Sequence, residues 1–127
     1  MIEGPLRTRL KTGTNVFPIT TNIEWDERPE RSTYPALVME TVIGQRDQHM
    51  SGFAGFQSTT VQFNCFATKK SEAAALREAV ITDITPEASV GGTDFLRAQD
   101  IIVRQAPKNT TSDFVFCEIV EATLWHN

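Results

Sequence analysis

The stretch Ser58 to Ile84, STTVQFNCFATKKSEAAALREAVITDI, decides how the rest of the chain is read. From Thr59 to Ala67 its residues alternate: Thr59, Val61, Phe63, Cys65 and Ala67 project one way, and Thr60, Gln62, Asn64 and Phe66 the other. A period of two with one face more apolar marks a strand lying on a core. Lys69 and Lys70 break the alternation, and Ser71 follows with a side-chain oxygen suited to accept from the free amides of a helix's first turn. Ala73, Leu76, Val80 and Ile84 then recur at intervals of three and four, which predicts a helix whose Leu76 and Val80 lie on the sheet. Arg77, Glu78 and Asp83 fall mostly on its other faces.

Ahead of this unit, Pro35 opens a second strand, Ala36 to Ile43, in which Leu37, Met39, Thr41 and Ile43 alternate with Ala36, Val38, Glu40 and Val42. Both faces are largely apolar, which predicts cover on each side, by the helix on one and by something else, another copy included, on the other. The intervening GQRDQHMSGFAGF, residues 44–56, carries three glycines. It exceeds the roughly two to five residues of a tight hairpin turn and reads as a long contact-making loop. Its Phe53 and Phe56 either fold back onto the core or dock into a neighbouring molecule. Further back, Glu3 to Lys11 reads as a short helix with Pro5 near its start and Gly13 just past its end, though Leu6 and Leu10 are its single apolar pair. Residues 14–23 read as extended or irregular, since Pro18 argues against a central strand. EWDERPER, residues 24–31, mixes four acids with two arginines and a proline; it is a solvated loop or a partner-binding loop built round Trp25.

Beyond the helix, Pro86, Gly91 and Gly92 mark a loop that runs to about Ala98. Ile101 to Ala106 is a short strand, KNTTSD a turn, and Phe114 to Trp125 a long strand. In it Phe114, Phe116, Val120, Ala122 and Leu124 share a face interrupted by Glu118, with Val115, Cys117, Ile119, Glu121, Thr123 and Trp125 opposite. The predicted fold is α+β: one domain over residues 1–127, a mixed or antiparallel sheet of about four strands packed on one main helix, with a short N-terminal helix. Strands half apolar on both sides exceed what one helix covers, which points to assembly with other copies.

A chain of 127 residues with 40% hydrophobic content is large enough to bury a core without metals or disulfides. It shows neither an apolar run of spanning length nor a basic-then-apolar start, so the expectation is a soluble protein that is intracellular where it is made. The two cysteines, Cys65 and Cys117, sit mid-strand among apolar residues and read first as buried free thiols, ahead of a disulfide, a redox pair or a metal site. The formal net charge is -4, and Ser71 to Asn127 holds nine acids against four bases. With no basic stripe there is no footprint for gripping nucleic acid; an acidic surface lets DNA pass without sticking.

Catalytic signatures are absent: no glycine-rich phosphate cradle, HExxH, CxxC or GxSxG. His49, beside Arg46 and Asp47, reads as a polar loop contact, and His126 lies at the frayed end. Glu118 and Glu121, three apart on a strand, face opposite sides and cannot pair. The sequon Asn109-Thr110-Thr111 has no secretory context. No catalytic residue, cofactor or metal is assigned, and the expectation is a non-enzyme.

The order of these pieces resembles a known family. A Pro-led apolar strand (YPALVMETVIG), a His-x-x-Gly element (His49, Met50, Ser51, Gly52), the strand TVQFNCFA and a helix opened by KKSEAAALREAV are together similar to the tail-completion, or tail-terminator, proteins of long-tailed bacteriophages and of phage-like gene transfer agents. The likeness runs from about Trp25 to the C-terminus and rests on order and spacing. Residues 1–20 depart from it, since members of that family usually begin with a longer apolar helix. The resemblance implies a virion structural protein, assembled in the host cytoplasm, whose copies form a ring, usually of six, at the head-proximal end of the tail tube. Its partners are then itself, the tail tube protein and the head-completion or connector protein, with DNA passing through unbound and no membrane contact. The residues expected at protomer or tube interfaces are Arg46, His49, Phe53 and Phe56, with Glu87 and Arg97 in the second loop. The rivals are a head-completion protein one layer away and a small ferredoxin-like dimeric ligand-binding protein or enzyme.

Overall fold

The computed structural model describes residues 3–20, 23–25, 35–49, 52–90, 92–105 and 116–126. For residues 43–49 and 52–57 it describes the backbone alone. The elements, in order, are α1 (Glu3–Thr12), β1 (Ile23–Trp25), β2 (Ala36–His49), β3 (Gly52–Ala67), α2 (Lys70–Ile84), β4 (Ala88–Val90), β5 (Thr93–Phe95), β6 (Gln99–Gln105) and β7 (Phe116–His126). The seven strands form one sheet in the order β1-β2-β3-β7-β5-β4, with β6 also pairing β7. β1 runs parallel to β2, and every other pairing is antiparallel.

This corrects the expected fold. The protein is mostly β, a curled half-barrel sheet of seven strands with two helices, rather than about four strands on one main helix. Three misreadings account for the difference. Ile23–Trp25, expected as irregular chain running into a charged loop, is strand β1 beside β2. The described residues of the glycine-containing stretch 44–56 are strand rather than loop: Gly44 to His49 continues β2 and Gly52 to Phe56 begins β3, paired as Gly44↔Thr59, Gln48↔Phe53 and His49↔Gly52. The predicted loop after α2 contains the β4–β5 hairpin, whose turn includes Gly92 at φ 83, a left-handed backbone that glycine adopts without strain. Three-residue strands carry too few positions to show a period. The KNTTSD turn, the sequon, Phe114, Val115 and most of the 24–31 charge run lie outside the described residues.

The alternation read from Thr59 to Ala67 holds along β3. Met39, Phe63 and Val120 lie in register across β2, β3 and β7, as do Leu37 and Cys65 on the next row and Val61 and Ala122 beyond. All are fully buried, under Leu76, Val80 and Ile84 of α2 and Leu6 and Leu10 of α1. The N-terminal helix is therefore part of the core cover. Arg7 Nε donates to Ile23 O at 2.8 Å and its guanidinium pairs with Glu24 at 3.1 Å, fastening α1 to the short β1. Helix α2 begins two residues earlier than its sequence implies. Lys69, extended at φ -125 and ψ 140, is the N-cap, so Ser71 falls inside the first turn and no side chain caps the helix.

Two polar devices hold the helices. Asp83 on α2 accepts from Val16 N at 2.9 Å and Asn15 Nδ2 at 2.7 Å, tying the turn after α1 to the far end of α2. Gly13 lies so close that a Cβ there would collide with the Asp83 carboxylate. At the other end of the core, Glu118 projects from β7 into the apolar face and is 2% exposed. It pairs with Arg77 of α2 at 3.6 Å and accepts from Gln105 Nε2 at 3.1 Å.

A buried carboxylate that loses its cation costs about 3–5 kcal/mol, whereas replacing both partners by apolar groups is often neutral. Arg77→Met is therefore expected to lower stability by about 3 kcal/mol. The double variant Arg77→Met/Glu118→Leu should recover most of the loss, as read from urea midpoints. Gly13→Ala should displace Asp83 from Val16 and cost about 1–3 kcal/mol, the value of a charged hydrogen bond left unmade.

Candidate functional site

The sheet's second face carries no described element over it, and the residues there bond to one another. Asn64 Nδ2 donates to Glu40 Oε1 at 3.4 Å, and Gln62 Nε2 donates to Asn64 Oδ1 at 2.9 Å. Arg104 donates from Nη2 to Gln62 Oε1 and from Nη1 to Glu121 Oε2, each at 3.1 Å. The result is a polar ribbon crossing β2, β3, β7 and β6, with a Thr60–Thr123 hydroxyl pair at 3.2 Å beside it. Ala36, Val38 and Ile119 on this face are already buried. The second face is thus mixed rather than uniformly apolar: the register places Glu40, Gln62 and Glu121 in one row, while Phe66, Cys117 and Trp125 lie half-buried on the same face. Sequence alternation assigned Gln62, Asn64, Glu121 and Thr123 to that face. That they meet depends on pairings between distant segments.

The predicted interface residues lie at one end of this sheet. Arg46 and His49 are in the outer half of β2, and Phe53 and Phe56 in the outer half of β3. These halves form a hairpin arm that extends past the last β3–β7 pair, Gln57↔His126. Arg46 pairs with Gln57, Gln57 with His126 and His126 with Phe95, so the base of the arm and the β4–β5 hairpin share a row. Glu87 and Arg97, both exposed, flank that hairpin. The two segments are separated by about three strand spacings of ~4.8 Å. An open depression of about 380 Å³, lined by Glu87, Ala88, Ser89, Asp94, Phe95 and Leu96, lies on the hairpin.

Behind it, Arg9 is buried with its guanidinium over the Phe95 ring at 5.3 Å, donating to Pro86 O. Burial lowers the Arg9 pKa, and the nearby Asp83 charge opposes that shift. His126 is not at a frayed end: it is 2% exposed, its Nε2 lies 2.8 Å from Thr59 Oγ1, and its ring tilts against Phe95.

The cysteines sit on opposite sides of the sheet, Cys65 opposite Glu118 and Cys117 opposite Phe66, and both are free. That geometry does not permit a disulfide between them. Burial pushes the Cys65 thiol well up, with further contributions from Cys117 and Glu118. Cys117 is pushed up to about 11, by burial first and the Glu118 charge second. Among the described residues, no three His, Cys, Asp or Glu side chains gather as metal ligands.

No protein-family model matches this chain, and no curated protein matches it in sequence. Its fold has precedents among solved structures. A chain from the virion of a native gene transfer agent particle superposes with a TM-score of 0.64, covering 99% of this chain and 95% of that one at 8% identity. A second solved chain superposes with a TM-score of 0.54 at 15% identity, covering 99% and 90% respectively. Identities this low establish a shared fold.

The thiols give a test with a defined sign. A thiol kept protonated in the folded state binds more protons than its unfolded counterpart above about pH 8.5, so stability falls as pH rises. For Cys117 the loss is expected from about pH 8.5 up towards its folded value of about 11. Comparing urea midpoints of the parent and Cys117→Ser between pH 7 and 10 should show the parent falling more steeply. Parallel curves would remove Cys117 from the balance.

Proposed function

We propose that this chain is a structural protein of a virion, of a long-tailed phage or a phage-like gene transfer agent. In this reading six copies form a ring at the head-proximal end of the tail tube. The ring ends tube polymerisation and offers its other side to the head-completion or connector protein. The observation that carries the reading is the superposition, over nearly the whole of both chains, on a component of a native gene transfer agent virion. The sequence order that resembles tail terminators points the same way. So does the acidic balance, which suits a passage through which DNA slides without being held.

The hairpin arm is the part of the molecule best placed to reach a neighbour. It stands beyond the body of the sheet, and strand pairing rather than loop conformation holds its two halves. Arg46, His49, Phe53 and Phe56 on the arm, with Glu87 and Arg97 at the same end, are assigned to contacts with adjacent protomers or the tube. Copies joined head to tail in a closed ring leave no lateral edge for further addition, which is the property a cap requires.

Particles made without this protein are expected to carry overlong tails unattached to heads, as imaged by electron microscopy. Tails of normal length that still fail to join heads would instead place the protein one layer away, as a head-completion component. Phe53→Asp combined with Phe56→Asp should reproduce the overlong, unjoined tails while the isolated chain still folds. Normal tails from that variant would remove the arm from the interface.

A further inference from the structure

The antiparallel ladder runs β2, β3, β7, β6, with each strand reversed relative to the last. Both of its outer strands are open among the described residues. On β6 every residue except Ile101 is exposed, Ile102 at 55% and Val103 at 45%. On β2, β1 covers Leu37 to Met39, and Glu40 to His49 have no outer strand partner among the described residues. An open strand edge presents a row of N–H and C=O groups that readily pairs with another strand, and monomeric proteins blunt such edges with lysine, proline or inward charge. On these edges lysine and proline are absent, and the protection is limited to register irregularities and one arginine in each regular stretch, Arg46 on β2 and Arg104 on β6. Thr41 to Gln45 holds no charged residue. Ile101 to Gln105 holds one, Arg104, whose guanidinium is turned back onto Glu121 and Gln62.

Register irregularities fix how much of each edge is regular. On β2 they fall between Thr41 and Ile43 and between Arg46 and Gln48, and on β6 between Gln99 and Ile102. Bulges bend a strand and end a ladder at a set position. On β2 the window between the two irregularities is Ile43–Arg46, and on β6 the described ladder is uninterrupted over Ile102–Gln105. Their directions match. Because four strands alternate, β6 runs opposite to β2. Copies related by rotation about an axis along the strands therefore bring one copy's β6 antiparallel to the next copy's β2. The alternation crosses the joint unbroken.

We propose that these two edges pair between copies: the Ile102–Gln105 edge of β6 in one protomer takes the Ile43–Arg46 edge of β2 in the next, extending the sheet head to tail. This rests on the ring reading above, although it does not depend on where in the particle the ring sits. Ile102 and Val103 supply β-branched side chains to the joint, the type that packs well across strands.

The test uses the full chain carrying Cys117→Ser with Gln45→Cys and Val103→Cys, and a short bismaleimide cross-linker, applied to concentrated protein and to purified tails. Covalent multimers joined through residues 45 and 103 are expected in at least one sample. None in either would overturn the proposal. In parallel, Ile102→Lys and Val103→Lys change exposed side chains, so melting temperature should hold while the assembled fraction falls about tenfold or more, because the joint would bury unpaired charge. Rings that persist with both lysines would overturn edge pairing and leave the tail-cap reading intact. Normal joined tails in the absence of the chain would sink the tail-cap reading and leave the cross-links to decide the edges.

Discussion

The registry that sets Phe63 between Met39 on one neighbour and Val120 on the other is the constraint on which the rest of the molecule depends. Side chains along a strand alternate with a period of two, so a slip of one residue would send Leu37, Met39, Val61 and Phe63 to the far face together. With the register as it is, these residues make one apolar floor, and α1 and α2 lie on it through Leu6, Leu10, Leu76, Val80 and Ile84. The same register forces Glu118 onto that floor. Its charge is tolerable there because Arg77 comes down from α2 and Gln105 reaches across from β6. The ion pair is a consequence of the ladder and adds a requirement: α2 must sit where Arg77 meets the carboxylate.

What was legible in the sequence is what local periodicity records. The alternation of β3, the two faces of β7, the start of β2 after Pro35 and the stripe of α2 all come from neighbours along the chain. Strands of three residues, β1, β4 and β5, are too short to show a period, and they exist because a longer strand beside them supplies the partner. Glycines at 44, 52 and 55 are loop signals in the sequence, although opposed residues such as Gln45↔Ser58 and Arg46↔Gln57 carry the ladder through that region. Here tertiary pairing overrode composition. The same holds for the candidate site. That Arg46, His49, Phe53 and Phe56 share an arm, and that Glu87 and Arg97 lie at the same end, follows from the row Arg46–Gln57–His126–Phe95, which joins segments far apart in sequence.

The polar ribbon also relocates the source of any tendency to assemble. From sequence, strands apolar on both sides suggested that uncovered grease drives copies together. In the structure the middle of the far face is polar. Glu40, Asn64, Gln62, Arg104 and Glu121 bond to one another, so docking an apolar surface over that row would require breaking satisfied bonds, and Ala36, Val38 and Ile119 beside it are already buried. The backbone at the sheet's two ends is different. Along β6 and the outer half of β2 the ladder has no strand on its outer side among the described residues, and a strand placed there satisfies the outward N–H and C=O groups without disturbing a described strand pairing. Exposed apolar side chains are also found along these two strands, Val42 on β2 and Ile102 with Val103 on β6. The least costly route to a larger assembly therefore runs edge to edge, with the polar face left free towards whatever occupies the space beside the sheet.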